Sequence, residues 1–439
     1  MVVTAVILVG GETSGTRFRP LSMDTPKVLF PICGVPLISH IVDSLIAQTV
    51  DEEDLNVFLL GFYKDTSKFE DYTAQASYKY SQLNIKYLSE PYSIGTAGGI
   101  FHFQEEIFGP DPESKILVIH GDVVCNYPFE EMFGFYKEHG ANSVILGIDP
   151  QEVLSKNFTS DDSSKLLRNY GTIVCEKESD RVVHYVEKPT SEITKFTEET
   201  YYRVLLNGGV YIFDRGILEL LKIAQKRRKN SVGVFNYDDL DMAPVNSNRL
   251  SLELDILKVL PTVEGSKFLT YRSDTSWLQL KTPVSAIMAN NFFLQQGLKK
   301  PSTTNIIEPV QILNTRINSR GFKIGPNVSI GNNVSIGNGV RIINSIIADN
   351  VVIGDHTFIS NAIISENSSI GKWCRIEGTI TEKTIQFANQ NESEGYLKLI
   401  NNIVVLCQNT TVGNQVYVFN SIVLPHKELK SDIKYEIVM

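Results

Sequence analysis

The last third of the sequence repeats a six-residue pattern, and this repeat limits the possible folds more than any other feature. Ile324-Gly-Pro-Asn-Val-Ser, Ile330-Gly-Asn-Asn-Val-Ser and Ile336-Gly-Asn-Gly-Val-Arg follow one another without a break. Isoleucine then returns at positions 347, 353, 359, 364, 370 and 376, with the interval shortened to five residues before 347 and before 364. Such hexads are typical of a left-handed parallel β-helix, in which three of them make one triangular coil. We therefore predict a β-helix domain over residues 301–439.

The repeat is interrupted between Gly378 and Ile403. Residues 379–402 are polar, lack the hexad and include Glu392 and Glu394. Long segments without a repeat are usually functional loops or disordered ones. We expect a loop inserted into one coil, and two roles stay open for it: contact with a neighbouring subunit, or a disordered excursion.

The first 300 residues have a different pattern, in which short apolar runs alternate with helical periodicity. The predicted strands are residues 4–9, 55–62, 85–88 and 116–119. The predicted helices are residues 35–50, 65–81 and 283–298, together with one that follows the glycine-rich turn at 95–99 and runs through residue 107. This alternation predicts βαβ units in an α/β domain over residues 1–300, with a Rossmann-like, mixed but mostly parallel sheet. Ligands bind at the carboxyl ends of parallel strands, so we expect the polar segments that follow these strands to meet at one edge.

A glycine-rich loop follows the first predicted strand and has the composition of a polyphosphate site. Glycines let backbone N–H groups approach phosphate oxygens, and nearby cations neutralise the charge. The residues concerned are Gly10, Gly11, Gly15, Arg17, Arg19 and Lys27. The loop is not a P-loop, which needs lysine where Thr16 stands, and its glycine spacing differs from the dinucleotide fingerprint. The alternative is a plain glycine turn followed by solvated arginines.

Composition excludes several other classes of protein. The net charge of −9 over 439 residues argues against nucleic acid as a partner. The five cysteines are scattered without a C-x-x-C pair, which indicates free thiols in a reducing compartment. The sequence has no signal-peptide pattern and no apolar run long enough for a membrane span, so we expect a cytoplasmic protein.

The glycine-rich loop resembles the signature of the sugar-nucleotide pyrophosphorylases, a group of nucleotidyltransferases. The matching residues are Gly10-Gly11, then Gly15-Thr16-Arg17-Phe18-Arg19-Pro20-Leu21-Ser22, then Pro26-Lys27. Three residues, 12–14, stand where active members of that family usually have one, so this loop is longer by two. The resemblance implies that Gly10, Gly11, Gly15 and Thr16 contact nucleotide phosphates, with Arg17 and Lys27 in the catalytic roles.

Further segments resemble motifs of the same family, in the same order along the chain. The resemblance assigns base recognition to Gly95-Thr96-Ala97-Gly98, a turn that could instead be a plain helix cap. It assigns the sugar and its phosphate to Glu187-Lys188-Pro189 and to Asn207-Gly208-Gly209-Val210-Tyr211, and it adds Gly171 to the substrate-binding residues. Asp122 matches the aspartate of the family's L-N-x-D pattern, which holds Mg²⁺. No organic cofactor is implied.

The predicted Mg²⁺ site lacks one of its carboxylates. Active relatives have W-x-D where this chain has Trp277-Leu278-Gln279, so an amide replaces the second metal-binding aspartate. Because Mg²⁺ is held by one or two protein carboxylates together with substrate phosphates, this substitution weakens the site. The alternative is that another acidic residue compensates in three dimensions.

Over its whole length the sequence resembles the GDP-mannose pyrophosphorylases, and among them the α, or A-type, subunits. The longer first loop, Gln279, the loop inside the β-helix and the ending Ser421-Ile-Val-Leu-Pro-His-Lys-Glu-Leu429 all agree with that group. The resemblance implies a subunit that binds GDP-mannose, has little or no catalysis, and restrains a catalytic β subunit by feedback. It also implies homo- and hetero-oligomers.

Three other functions remain open at this stage. One is an active mannose-1-phosphate guanylyltransferase, which makes GDP-mannose and diphosphate from GTP and mannose-1-phosphate. Another is a regulatory subunit of the translation-initiation exchange factor, which shares the two-domain plan without sugar chemistry. The third is an acyltransferase, suggested by the β-helix alone, but His356 within the repeats has no evident catalytic setting.

Overall fold

The computed structural model describes residues 3–12, 16–48, 55–80, 83–150, 170–189, 201–230, 249–274, 276–297, 302–379 and 402–439. These residues form two compact units. The first contains the described residues of 1–14 and 41–277, and the second contains those of 15–40 and 278–439. The division after residue 300 stays a prediction. No helix among the described residues is both long enough and apolar enough to cross a membrane.

The strands before residue 280 are β1 (Val3–Gly11), β2 (Pro31–Ile32), β3 (Val35–Pro36), β4 (Leu55–Phe62), β5 (Asn84–Ser89), β6 (Lys115–His120), β7 (Val123–Cys125), β8 (Ser143–Ile148), β9 (Thr172–Glu176), β10 (Val182–Val186), β11 (Tyr202–Asp214), β12 (Phe268–Ser273) and β13 (Trp277–Gln279). The α-helices in the described residues are α1 (Leu37–Gln48), α2 (Ser67–Lys79), α3 (Gly98–His102), α4 (Gln104–Phe108), α5 (Phe129–Glu138), α6 (Ile217–Asn230) and α7 (Pro283–Gln296). A short π-type helix covers Leu252–Leu257.

A mixed sheet forms the centre of the first unit, as predicted. Its strand order is β10-β9-β11-β6-β1-β4-β5, and β8 joins β11 to β12. The pairings β5-β4-β1-β6 are parallel, whereas β11 runs antiparallel to β6, β8 and β9. The sheet is therefore mixed, as predicted: β12 also pairs parallel to β8, and the antiparallel pairs are those of β11 and the β9-β10 pair.

The core of the first unit lies on both faces of this sheet. Ala5, Val6 and Ile7 are consecutive in β1 and fully buried, which is the pattern of a strand covered on both sides. Helix α2 contributes Phe69 and Ala76, which stand seven residues apart on one helical face. The carboxyl ends of β1, β4, β5 and β6 share one edge, because these strands are mutually parallel.

The second unit contains the predicted parallel β-helix. Its strands are β14 (Val310–Ile312), β15 (Lys323–Ile324), β16 (Val328–Ile330), β17 (Ser335–Ile336), β18 (Arg341–Ile343), β19 (Ser345–Ile347), β20 (Val352–Ile353), β21 (Phe358–Ser360), β22 (Ala362–Ile364), β23 (Ser369–Ile370), β24 (Arg375–Glu377), β25 (Val404–Leu406), β26 (Thr411–Val412), β27 (Tyr417–Phe419), β28 (Ile422–Val423), β29 (Glu428–Leu429), β30 (Ile433–Lys434) and β31 (Ile437–Val438). They form three parallel sheets of seven, six and five strands. The left hand of the coil stays an inference from the six-residue period.

The five-residue steps seen in the sequence set the register of the β-helix. Val328 pairs with Ser345, and asparagine side chains of adjacent coils bond over a separation of 17 residues. Each such coil is therefore two hexads and one pentad, with isoleucines stacked inside. Many corners are left-handed asparagines such as Asn344 (φ 46°) and Asn361 (φ 49°), a residue type that tolerates this conformation.

Strand pairing in the β-helix continues on both sides of the predicted insertion. Ala362 pairs with Val404 and Arg375 with Tyr417, so the ladder has the same register before and after residues 379–402. Residues 380–401 lie outside the described residues, and the predicted roles of this loop lie there with them. Helix α7 packs on β16, β19 and β22, and a Thr282–Ser285 capping box with Pro283 in the first turn begins it.

Candidate functional site

The predicted phosphate loop begins at the carboxyl end of β1. Gly10 has a positive φ of 79° at a bulge in the pairing with β4. A Cβ on Gly11 would lie 2.8 Å from the Phe62 carbonyl oxygen, so the chain passes close to its neighbour there. Beyond Gly11, a Glu12 carboxylate oxygen accepts the backbone N–H of Lys64 at 2.7 Å. The first residue of the longer loop is thereby tied to the end of β4.

The other residues predicted for this loop are distributed differently. Thr16 and Arg17 lie in a 3₁₀ turn, Thr16–Phe18, and Lys27 begins another, Lys27–Leu29. All three belong to the second unit, whereas Gly10 and Gly11 belong to the first. Gly15 lies outside the described residues. The phosphate-binding and catalytic roles of these residues stay predictions.

The predicted base-recognising turn, Gly95–Gly98, follows β5 and leads into α3. Gly95 has φ 86°, and a Cβ there would lie 2.2 Å from the carbonyl oxygen of Leu250, so only glycine fits. Leu250 in turn bonds to the turn on both sides: its N–H donates to Ile94 O at 2.8 Å and its carbonyl accepts Ala97 N–H at 3.1 Å. The turn is therefore held by backbone bonds to a segment 150 residues away in sequence.

The buried carboxylate of Glu90 bonds to the backbone just before this turn. Glu90 is 8% exposed, and its Oε2 accepts the Ile94 backbone N–H at 3.3 Å. Burial raises the pKa of Glu90 to about 7, and the bond from Ile94 lowers that pKa only in part. A Cβ on Gly99 would lie 2.4 Å from Glu90 Oε1, so the first turn of α3 lies directly on this carboxylate.

Thr96 connects the turn to a second acidic residue, Glu253. The Thr96 hydroxyl donates to Glu253 Oε2 at 3.0 Å and accepts the Leu252 backbone N–H at 2.8 Å. The Ser251 hydroxyl donates to the same Oε2 at 2.7 Å. Next to it, Asp255 accepts a two-pronged contact from Arg228 of α6, which anchors the Leu252–Leu257 helix.

Three residues of the predicted substrate site, Gly171, Glu187 and Asn207, come together around Tyr185. The Asn207 amide donates to Tyr185 Oη at 3.0 Å, and Tyr185 donates to Glu187 Oε2 at 2.9 Å. Gly171 lies against this pair, because a Cβ there would be 2.1 Å from Tyr185 Oη. Glu187 is thus oriented by a buried phenol.

Tyr211 and His120 extend this cluster towards the end of β6. Tyr211 Oη accepts the second Asn207 amide hydrogen at 2.8 Å and lies 3.4 Å from His120 Nε2. The same His120 nitrogen is 3.6 Å from Glu253 Oε1. Burial raises the pKa values of Tyr185 and Tyr211 well above the usual value for tyrosine, so both phenols stay neutral donors.

Lys188 adopts an unusual backbone conformation. Its φ is 49°, in the left-handed region that non-glycine residues seldom occupy. Because such strain is often found at ligand-binding positions, it marks the predicted Glu187-Lys188-Pro189 segment as a structured turn after β10.

The residues present do not make a complete Mg²⁺ site. Asp122 is half-buried just beyond β6 and supplies one carboxylate. Gln279 ends β13 with an amide, and no group of three or more His, Cys, Asp or Glu residues that could hold a metal is found in the described part of the chain. The metal role of Asp122 stays a prediction, and we derive no step through Mg²⁺.

Four residues of the site could not be assigned from the sequence. Glu90, His120, Tyr185 and Glu253 are far apart in the chain, and their roles depend on contacts between strands. The signal for one of them was present: His120 stands where the family pattern L-N-x-D has asparagine.

Comparison with known proteins shows which families this chain matches. Residues 4–235 match the family model described as nucleotidyl transferase, and residues 306–438 match the model described as GMPPB C-terminal domain. The chain is 37% identical over 450 residues to the probable mannose-1-phosphate guanyltransferase of Schizosaccharomyces pombe, covering 100% of both chains.

Two further relatives are named as regulatory subunits. The mannose-1-phosphate guanylyltransferase regulatory subunit alpha-B of Danio rerio is 33% identical, with 99% of each chain covered. The regulatory subunit alpha of Dictyostelium discoideum is 34% identical, with 99% of this chain and 98% of the relative covered.

Proposed function

This chain belongs to the nucleotidyl transferase family and, within it, to the mannose-1-phosphate guanylyltransferases, and on that premise we propose that it is a regulatory subunit. It binds GDP-mannose, associates with a catalytic β subunit and mediates feedback inhibition of that subunit in GDP-mannose biosynthesis. Homo- and hetero-oligomers and a cytoplasmic location are part of the same proposal.

The observation that carries the proposal is the contrast between a retained polar cluster and a substituted metal ligand. The polar side chains of Tyr185, Glu187 and Asn207 are joined by hydrogen bonds beside Gly171, which supports a retained sugar pocket. Against this, Gln279 replaces the second metal carboxylate of active relatives. A site that keeps ligand contacts but loses metal charge favours binding over phosphoryl transfer, which depends on Mg²⁺ to neutralise developing charge.

The second candidate function is an active mannose-1-phosphate guanylyltransferase. Two observations favour it: Asp122 is retained, and the Schizosaccharomyces pombe relative is named as a probable guanyltransferase. Under this alternative one carboxylate and the substrate phosphates suffice for the metal.

One pair of measurements separates the two candidates. GDP-mannose is titrated into the purified chain by calorimetry, and diphosphate release is then followed with GTP, mannose-1-phosphate and Mg²⁺. We expect binding with little or no turnover, and Gln279→Asp should raise turnover while the isosteric control Gln279→Glu, whose carboxylate is displaced by one methylene, should raise it less. Brisk turnover by the unmodified chain contradicts the regulatory role and favours the alternative.

The partner is tested separately. The chain is mixed with a catalytic β subunit, and the mass of the complex is measured by light scattering with and without GDP-mannose. Inhibition of the β subunit by GDP-mannose should be stronger in the mixed complex than in the β subunit alone. Equal inhibition in both samples contradicts feedback through this chain.

A further inference from the structure

Glu253 links two parts of the predicted ligand site that are distant in sequence. Its side chain is 17% exposed, and a carboxylate so far removed from water needs hydrogen-bond donors. Oε2 takes two hydroxyl donors, from Thr96 and Ser251, while Oε1 faces His120. One oxygen therefore belongs to the base-recognising turn and the other to the end of β6.

His120 carries the contact onward to the sugar side. Its ring lies 5.6 Å from the Tyr211 ring, and a Cβ on Gly209 would come within 3.3 Å of the His120 side chain. Packed in this way, the imidazole has little freedom to move away from Glu253 and Tyr211. Asparagine, the usual residue of the family pattern, is shorter than histidine and does not reach as far from the strand.

Asn207 completes the connection to Glu187. It donates one amide hydrogen to Tyr211 and the other to Tyr185, and its Oδ1 accepts the Gly209 N–H at 2.9 Å. All the polar atoms of the side chain are thus engaged inside the protein. The resulting network is Thr96, Glu253, His120, Tyr211, Asn207, Tyr185 and Glu187.

We propose that His120 and Glu253 are positioning residues through which the two ends of this network are bound cooperatively by one nucleotide sugar. Because these side chains are bonded and packed against one another, a ligand contact that shifts Thr96 also shifts Glu253 and His120, so the contacts at Thr96 and at Glu187 are not independent. A nucleoside diphosphate without the sugar contacts only the Thr96 end of the network, so the coupling adds nothing to its affinity. The network therefore sets selectivity for the whole nucleotide sugar over its nucleotide half. This inference rests on the proposed function, because it takes GDP-mannose as the ligand.

The test compares ligand selectivity in His120→Phe and in a matched control, His184→Phe. Phenylalanine keeps the ring at position 120 and removes the nitrogen, whereas His184 is exposed on β10. Affinities for GDP-mannose and for GDP are measured by calorimetry for each protein. We expect His120→Phe to lower the GDP-mannose affinity about tenfold, within the usual range of coupling between sites, and to leave GDP within about twofold. His184→Phe should change neither, and His120→Gln, which restores a donor, should recover part of the loss.

A double-substitution cycle provides the measurement that a merely structural role would not affect. Thr96→Val and His120→Phe act on opposite sides of Glu253, so their combined effect on GDP-mannose affinity should be smaller than the sum of the two. If His120→Phe does not fold, Glu253→Gln takes its place in both experiments.

The outcomes distinguish this inference from the proposed function. If the unmodified chain does not bind GDP-mannose, both fail. If it binds, but His120→Phe weakens GDP and GDP-mannose equally, or the cycle is additive, the coupling is refuted and the proposed function stands.

Discussion

Gly171→Ala should destabilise the first unit through a clash with the side chains of Tyr185 and Glu187. The new Cβ would lie 2.1 Å from Tyr185 Oη, 2.8 Å from Cζ and 2.9 Å from Glu187 Oε2. Real contacts of this kind are longer than 3.0 Å. Tyr185 is 3% exposed, so its ring has no space to swing away. The hydroxyl must therefore leave its bonds to Asn207 and Glu187.

The cost follows from those contacts. Overpacking a core costs about 1–3 kcal/mol, and each lost hydrogen bond about 1 kcal/mol. Because these terms share the same atoms they are not additive, so we expect about 3 kcal/mol. A loss of this size lowers the urea midpoint of the first unit by about 1 M.

Intrinsic fluorescence can isolate the first unit. The chain has two tryptophans, Trp277 in the first unit and Trp373 in the second. Trp373 is 61% exposed, so Trp373→Phe removes it at little cost, and Trp277, which is 1% exposed and packs edge-on against Tyr170, then reports the first unit alone. All variants are compared in this background.

The control is Gly134→Ala, in the middle of α5. A Cβ there meets no atom within 4 Å, so this change should be neutral or stabilise by up to about 1 kcal/mol. Combining Gly171→Ala with Tyr185→Phe removes the clashing oxygen, and the pair should cost less than the sum of the single changes. If Gly171→Ala behaves like Gly134→Ala, or the pair is additive, then the contact between Gly171 and Tyr185 does not exist as described.

Three other predictions follow from the structure. Glu90 has a pKa of about 7 in the fold against about 4.3 when exposed, so between these values it retains a proton that the unfolded chain loses. The stability of the first unit should therefore fall as pH rises from about 4.5 to 7 and level off above. The urea midpoint of Glu90→Gln, measured over the same pH range, should lack this decrease. Asn344 has a left-handed backbone conformation and bonds to Asn291 and Asn361. Both Asn344→Ala and Asn344→Gly lose these bonds, but only alanine carries a Cβ in this conformation, so it should destabilise the β-helix by about 1–2 kcal/mol more in scanning calorimetry. An equal effect of the two changes contradicts backbone strain as the reason. Burial raises the pKa of the Cys125 and Cys407 thiols to about 12, so maleimide at pH 8 should label them at the rate of unfolding, and fast labelling of the native protein contradicts their burial.

The fold was predictable where a repeating pattern extends over many residues. The hexads and their five-residue steps correspond to the coils, and the helix predicted over 65–81 is found at Ser67–Lys79. Local patterns failed where distant segments decide the structure. One continuous helix was expected after Gly98, but the chain breaks at Phe103 into α3 and α4. The antiparallel course of β11 has no signature in its own sequence, because pairing depends on which strands are adjacent.

The site was predictable to the same limited degree. Motif order pointed to Glu187 and Asn207, and the resemblance added Gly171. The structure brings these three residues together, and their binding roles stay predictions. Their connection through Tyr185 was not foreseen, since a buried tyrosine in a strand reads as ordinary core. No role was predicted for Glu90 or Glu253, and only the fold reveals that both are largely buried. Tertiary contacts between residues 96 and 253, or 120 and 211, leave no trace in a single sequence.

The stacked coils also determine at which positions the β-helix tolerates destabilising substitutions. Apart from the contacts of α7 with β16, β19 and β22, each coil packs mainly on the coils above and below it, so the column resembles a one-dimensional chain whose stability is a sum over neighbouring layers. A destabilising substitution near Leu429 or Ile433 unfolds only the last coil of the β-helix. A destabilising substitution at Ile364 or Leu406 instead divides the β-helix into two shorter stacks of coils, each with an uncovered apolar end. Substitutions of the same size should therefore become more harmful from the end of the column towards its middle.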